Sequence, residues 1–440
     1  VSGMRLRTTA AIAAGKGTRL LSRLRGGGSA LPGLVTERID PAVLRHTLGS
    51  LPRGVVVVSG TNGKTTTTKM LVALLRAHGL RVFTNPTGSN FTRGVISSML
   101  GEVGLRGRLA ADVAVVELDE AHALHFVAQV PPTHALLLNV ARDQLDRFAE
   151  IDHTAGLLTR LGEATTTGVV LNADDSFISR IRDHLQPGVQ VRWFGVDPTI
   201  ADRLPELQEA DVRFADAGER PVLGAEDGLL LPGEDGSSVT VRFPGGADVG
   251  PVTLRQRGLA AMINATAATT TARALLGPDF SAATAAAALE AVNPPFGRGE
   301  VIDAGGTPLE LVLVKNPAGF TVALGTYGGE PAATMIAIND NYADGRDVSW
   351  LYDVSFGSLR ERGVALTSGV RAWDMALRLR YDGVEVGEVE TDLDLALDRF
   401  LAVHAGHPAR IFCTYTAMMH LRRRLADRFG LARFGEDPAA

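Results

Sequence analysis

The chain has 440 residues, 45% of them hydrophobic, and a formal net charge of −5. That length exceeds one ordinary core and predicts two or three domains, while the charge balance excludes the global basic field that nucleic-acid binders carry. One cysteine, Cys413, excludes an internal disulfide and any multi-cysteine metal site, and no apolar run is long enough to span a bilayer.

From Met4 to Thr36 there is no acid, while Arg5, Arg7, Lys16, Arg19, Arg23 and Arg25 are basic. This stretch reads either as a helix with a solvated basic face or as one weakly attracted to an anionic membrane surface. It lacks a continuous apolar core followed by a small-residue cleavage site, so no signal peptide is expected and a cytoplasmic location is the default. Gly26 to Gly33 reads as a loop. Residues 1–50 thus lead into a central domain expected over 51–298.

That domain opens with the apolar run Val55-Val56-Val57-Val58, then Gly60-Thr61-Asn62-Gly63-Lys64-Thr65-Thr66, then a helical stretch from Met70 to Ala77. Strand, glycine turn, Lys-Thr and helix form a phosphate cradle. Glycines let backbone N–H groups approach phosphate oxygens, and the helix N-terminus adds about half a positive charge. Lys64 would reach the β/γ-phosphates of ATP and Thr65 would ligate Mg²⁺. The spacing Gly-x-x-Gly-Lys-Thr is shorter than the usual P-loop, which has four residues between its glycines.

Strands are predicted at Val55–Val58, Arg81–Thr84, Val113–Leu118, Ala135–Val140, Val169–Leu171 and Val191–Phe194, alternating with helical stretches. The rhythm predicts an α/β fold with a largely parallel sheet. Glu117 stands at a strand end, where a further Mg²⁺ ligand or an ordinary post-strand acid belongs. Asn139 and then Asn172-Ala173-Asp174-Asp175 recur at successive strand ends, where such sheets bind ligands. Residues 197–250 are rich in Gly, Pro, Asp and Glu, with short alternating runs such as Ser238 to Phe243, and read as a small β-rich insertion. Ala260 to Leu276 is Ala/Thr-rich and reads as a helix. Pro294 to Gly299 looks like a boundary, followed by strands at Leu309–Val314, Met335–Ile338 and Arg410–Tyr415. Residues 299–440 are therefore expected to form a second α/β domain, in which Cys413 reads as a buried strand residue rather than a nucleophile.

The order Gly-Thr-Asn-Gly-Lys-Thr-Thr, strand-end Glu117, Asn139-x-x-x-Asp143-x-Leu145-Asp146, Asn172-Ala173-Asp174-Asp175 and Gly297-Arg298 resembles the Mur ligase family. Within it, the chain resembles the MurT branch through Arg142-Asp143-Gln144-Leu145-Asp146-Arg147, Val314-Lys315-Asn316-Pro317-Ala318-Gly319-Phe320 and Asn339 to Trp350. Ser368-Gly369-Val370-Arg371-Ala372-Trp373 and Thr414-Tyr415-Thr416-Ala417 point the same way. The resemblance implies a Mur ligase-type P-loop central domain and a C-terminal Rossmann-like α/β domain. It implies amidation of the D-glutamate α-carboxylate of lipid II through an acyl phosphate, with ammonia from a GatD-type class I glutamine amidotransferase subunit. ATP would be held by residues 60–66 with Asn264 and Arg298, and Mg²⁺ by Thr65 and Glu117. Asp347 would complete a Cys-His-Asp arrangement whose Cys and His come from GatD. From its sequence context alone, Asp347 reads rather as a turn residue in an Asp-Gly-rich loop.

The chain departs from the branch in two places. MurT proteins often carry a four-cysteine zinc ribbon, but residues 197–250 contain no cysteine, so no zinc of that kind is expected. Ala260-Ala261 stand where the family often has Tyr-Asn or His-Asn, which leaves one nucleotide contact open. No lysine lies between Lys69 and Lys315, and Gln144 stands where amino-acid-adding ligases usually have His. The carbamylated lysine and the histidine of a second Mg²⁺ site thus lack counterparts, and one Mg²⁺ is expected. Lys315 stands where those ligases tend to carry an acid serving the incoming amino acid, which fits ammonia as acceptor. The competing expectations are an amino-acid-adding Mur or folylpolyglutamate-type ligase and a P-loop NTPase acting as a scaffold.

Overall fold

Four consecutive valines can be buried on both faces only at the centre of a sheet covered on both sides, and β1 (Val55–Ser59) is buried throughout. The computed structural model describes residues 2–24, 30–85, 90–141, 151–200, 219–233 and 236–432. Around β1 run β2 (Val82–Thr84), β3 (Val113–Glu117), β4 (His134–Leu137), β5 (Gly168–Asn172), β6 (Gln190–Val196), β7 (Gly228–Pro232), β8 (Ser238–Arg242) and β9 (Val249–Thr253). Their order is β2-β3-β1-β4-β5-β6-β7-β8-β9. The sheet is parallel through β7, and β8 and β9 are antiparallel. The chain leaves β1 for one side and returns to the other, so the crevice at its carboxyl end is a topological switch point.

Helices cover both faces. They are α1 (Ser2–Leu24), α2 (Ala30–Ile39), α3 (Val43–Thr47), α4 (Lys64–Ala77), α5 (Thr92–Glu102), α6 (Glu120–Gln129), α7 (Ile151–Glu163), α8 (Ser176–Arg180), α9 (Leu259–Leu276) and α10 (Ala282–Ala291). The period of two in β1 divides its side chains. Val55 and Val57 enter the core beneath α3, α5 and α6, while Val56 and Val58 enter the core beneath α4 and α9. The Ala/Thr helix α9 is buried along most of its length. Thr266, Thr269, Thr270 and Thr271 satisfy their hydroxyls by donating to the carbonyls four residues back, at 2.7–2.9 Å. Small side chains let α9 lie close to α4 and β7.

One expectation needs correction. The sequence around Gly26–Gly33 reads as a loop, yet Ala30 to Gly33 form the first turn of α2. Pro32 suits a helix start, where its missing N–H costs nothing, and Gly33 donates its N–H to Ser97 Oγ at 2.9 Å. Gly26 to Ser29 lie outside the described residues. In the stretch 197–250, β7, β8 and the start of β9 extend the central sheet; residues 201–218 and 234–235 of it lie outside the described residues.

The second sheet joins β10 (Arg298–Asp303), β11 (Pro308–Leu313), β12 (Ala333–Ala337), β13 (Val364–Ser368), β14 (Val386–Glu390) and β15 (Ala409–Cys413), in the order β10-β11-β15-β12-β13-β14. The β10–β11 pair is antiparallel and the other pairs are parallel. Helices α11 (Pro317–Tyr327), α12 (Ala372–Tyr381), α13 (Leu393–Val403) and α14 (Tyr415–Phe429) flank it. The sequence reading did not foresee β10, β13 and β14. Glu300, Glu388 and Glu390 interrupt the apolar pattern of β10 and β14, as their edge position allows. Cys413 ends the central strand β15 fully buried, and burial pushes its thiol pKa well up, so it is an inert packing residue.

Candidate active site

The sharp turn after β1 depends on two glycines with positive φ, Gly60 at 132° and Gly63 at 87°. At Gly63 space matters as well, since a Cβ there would come within 2.4 Å of Asn264 Oδ1. That approach joins the start of α4 to α9 and explains why Asn264 is 93% buried within a helix of small residues.

The loop is held by side chains from neighbouring strand ends. Asn62 N donates to Asn139 Oδ1 at 2.8 Å, and Asn139 Nδ2 donates back to Asn62 O at 3.0 Å. Ala141 N donates to Thr61 Oγ1 at 3.1 Å. Asn172 Nδ2 holds the next strand end by donating to Leu138 O at 2.8 Å. Asn139 and Asn172 thus brace the loop and its neighbour.

Lys64 is buried at the first turn of α4. Its ammonium donates to Gly60 O at 2.5 Å and Thr61 O at 3.4 Å, and lies 3.3 Å from the Glu120 carboxylate. Thr65 Oγ1 donates to Glu117 Oε1 at 2.9 Å. Glu117 is 6% exposed, and Asn85 clamps its backbone from β2 with two hydrogen bonds of 2.9 Å. A hydroxyl and a buried carboxylate side by side make a hard-oxygen pair suited to Mg²⁺. Among the described residues no cluster of three or more His, Cys, Asp or Glu side chains has metal-binding geometry. The segment Arg142–Phe148, with Gln144, lies outside the described residues.

Beside the loop lies a cavity of about 230 Å³ between the two sheets. Of the residues expected to contact nucleotide, Asn62, Gly63, Thr66, Asn264 and Arg298 line it, while Gly60, Thr61, Lys64 and Thr65 do not. Its far wall comes from α11 and β11. Burial lowers the Arg298 pKa, and the Glu117 and Tyr415 charges oppose that shift. Ala260 also lines the cavity; its methyl group supplies an apolar wall where the family often has a polar pair.

The C-terminal domain closes on the loop through residues whose partners sequence reasoning missed. Lys315 Nζ donates to Thr61 O at 3.1 Å, and Asn316 Nδ2 donates to Asn62 Oδ1 at 3.0 Å. Asn316 is also the N-cap of α11, accepting from Gly319 N at 2.8 Å. The sequence signal for Asn316 was Asn-Pro at a helix start, which predicts the cap but not the contact. Further out, Arg257 bridges to Glu330 at 2.6 Å and Glu310 at 3.1 Å. Burial alone would lower the Arg257 pKa, but hydrogen bonds to the two carboxylates raise it.

Asp347 does not belong to this cavity lining. It follows a loop pinned by Asp344, which accepts from Thr416 N at 2.7 Å and Thr416 Oγ1 at 2.5 Å. Desolvation raises the Asp344 pKa. Arg371 grips Asp340 through two nitrogens at 2.7 and 2.9 Å. Asp347 itself is half-buried, and its Oδ1 accepts from Ser349 N at 2.8 Å. Five residues on, the Tyr352 ring meets that of Tyr381 in a tilted contact, with centroids 6.2 Å apart. Trp373, Leu377 and Tyr381 follow at i, i+4 and i+8 on α12 and are 67%, 50% and 71% exposed.

Two family profiles match the chain, the Mur ligase middle domain over residues 58–223 and the MurT ligase C-terminal domain over 313–418. The lipid II isoglutaminyl synthase (glutamine-hydrolyzing) subunit MurT of Streptococcus pneumoniae is 31% identical, over 97% of this chain and 98% of the relative. The chain belongs to the MurT family. The family's fold extends to MurF of Acinetobacter baumannii, with a TM-score of 0.67 at 19% identity, over 91% of this chain and 81% of that one. MurF ligase from Thermotoga maritima in complex with ADP gives a TM-score of 0.63 at 18% identity, over 89% and 83%. The MurT assignment rests on both domains, since the loop, Glu117 and the cavity lie within or beside the first matched region and Lys315, Asn316 and Asp347 lie in the second.

Proposed function

We propose that this chain is the synthetase subunit of a glutamine-dependent enzyme that amidates the D-glutamate α-carboxylate of lipid II to D-isoglutamine. The observation that carries this reading is the near full-length likeness to a MurT subunit. A phosphate loop alone would serve an amino-acid-adding ligase equally well.

ATP would lie with its phosphates on Gly60–Thr66 and its nucleoside in the cavity beside Asn264 and Arg298. One carboxylate oxygen of the substrate attacks the γ-phosphorus, the bond to the β-phosphate oxygen breaks, and ADP leaves. Lys64 exchanges its loop carbonyls for phosphate oxygens and balances the developing charge. Thr65 and Glu117 would hold Mg²⁺, which neutralises phosphate charge and orients the transferred group. Ammonia then attacks the acyl carbonyl, the bond to phosphate breaks, and ammonia gives up one proton as the amide forms. Lys315 and Asn316 seat the C-terminal domain on the loop, which keeps water from the acyl phosphate.

The amidotransferase, of the GatD type, would dock on the C-terminal domain, where Asp347 orients the partner's catalytic histidine. The half-exposure of Asp347 and the exposed Trp373, Leu377 and Tyr381 on α12 of the same domain support this. No helix among the described residues is long and apolar enough to cross a membrane. We place the reaction in the cytoplasm at the inner membrane surface, where a lipid-linked substrate presents its peptide.

The test mixes chain, ATP and lipid II with ammonium, glutamine or free amino acids, with and without the amidotransferase. The expected product is a carboxamide formed in step with ADP, from glutamine only when the partner is present. Addition of a whole amino acid would replace this reading with the amino-acid ligase, and ADP without a modified acceptor with the scaffold.

A further inference from the structure

The outer face of α1 is apolar in a way that packing among the described residues does not explain. Thr8, Ala11, Ile12 and Gly15 face inward against α2, α3 and α5. On the opposite side Leu6, Ala10, Ala13, Gly17, Leu20 and Leu21 are exposed, and at about 100° per residue they fall within an arc of roughly 100°. Leu6, Leu20 and Leu21 are 70%, 63% and 57% exposed. The stripe runs nearly the length of a 23-residue helix.

Basic charge surrounds it. Lys16 lies on one shoulder and Arg7 on the other, and no acid occurs between residues 1 and 36. A second element repeats the pattern. The turn at Gly107 packs against Thr8 and Ile12, and it carries exposed Leu105 with exposed Arg106 and Arg108. Exposed leucines on two elements, each flanked by cations that outnumber the one neighbouring acid, Glu102 beside Arg19, are the pattern of a surface that rests in the headgroup region of an anionic bilayer. A second copy of the chain fits poorly, since pairing α1 with itself would bring its cations together with no carboxylate on the helix to offset them.

We propose that the outer face of α1, with the Leu105–Arg108 turn, docks this enzyme reversibly on anionic phospholipid. The inference deepens the reading above, because a chain that acts on a lipid-linked peptide gains by residing at the surface where that peptide is displayed. The surface belongs to the central domain, so a partner seated around Asp347 on the C-terminal domain leaves it uncovered.

The test uses the full chain with its amidotransferase, and vesicles of phosphatidylcholine with or without phosphatidylglycerol. Co-sedimentation is expected only with the phosphatidylglycerol vesicles. It should be lost at about 1 M salt, where the Debye length is about 3 Å. Leu20→Glu/Leu21→Glu should lower the bound fraction at least about fivefold, and Arg106→Glu/Arg108→Glu, outside the helix, should do the same. Both variants should keep ammonium-driven amidation of a soluble muropeptide within about twofold of the parent, which controls for folding. Equal binding to neutral vesicles, no binding, or binding unchanged by both variants would overturn the proposal. So would a dimer that the same substitutions dissolve. Vesicle binding needs no substrate, so loss of amidation with binding intact would count against the activity instead.

Discussion

The phosphate loop and the Asp347 surface carry their functional groups in opposite ways. Around the loop the key groups are tied to one another, and the ionic ones are buried: Lys64 to loop carbonyls and Glu120, Thr65 to Glu117, and half-buried Asn62 to both Asn139 and Asn316. Asp347 sits half-exposed on a pinned loop, its carboxylate accepting from Ser349 N within that loop, and the same domain carries exposed Trp373 and Tyr381 on α12. A site that performs chemistry within one chain can be fully preorganised before substrate arrives. A residue that serves a partner's chemistry must remain accessible, and its rigidity comes from the loop beneath it.

This contrast predicts a graded set of effects. Lys64→Ala should lower amidation by about 10³-fold or more with either ammonium or glutamine, because it removes charge neutralisation from carboxylate activation. ADP release coupled to product measures it. Asp347→Ala should lower the glutamine-driven rate by about 10²- to 10³-fold and leave the ammonium-driven rate within about twofold. Full glutamine use by that variant would erase the distinction between the two regions.

Leu377→Glu on the α12 face should weaken subunit association by about 10- to 100-fold, again sparing ammonium; calorimetric titration with the amidotransferase reads this directly. Asn316→Ala removes both the α11 cap and the contact to the loop. It should raise the KM for ATP about threefold in steady-state assays with ammonium, with a smaller change in kcat.

The smallest effect concerns stability. Burial beside β5 pushes the pKa of His134 down to about 4. The unfolded imidazole, near 6.5, takes up a proton first as pH falls, so this group costs stability progressively between about pH 6.5 and 4 and adds no further slope below. His134→Gln should therefore lose a few degrees less in thermal midpoint between pH 7 and 4.5 than the parent does.

Much of the site was legible because phosphate binding makes local demands. Strand, glycines, Lys64 and Thr65 must be contiguous, and Glu117, Asn139 and Asn172 must end strands, so each leaves a mark in the primary structure. That β7, β8 and β9 join the central sheet was not legible in the acidic stretch 197–250, because strand propensity does not say which sheet a strand joins. Ala30–Gly33 was misread because Gly and Pro also suit the first turn of a helix. Asn62–Asn316 and Lys315–Thr61 join residues about 254 positions apart, and no local pattern encodes such a pairing.

The amino-acid sequence by itself determined the phosphate loop, the α/β rhythm of both domains, the exclusion of a cysteine-bound metal and the likeness to the Mur ligases, all consequences of residue type and short-range spacing. Only the tertiary structure decided that Asn264, Arg298 and α11 line one cavity, that Asp347 is left half-exposed and outside it, and that α1 shows leucines to the exterior. Those properties depend on which faces the two sheets bury, and burial is settled by the packing of distant segments.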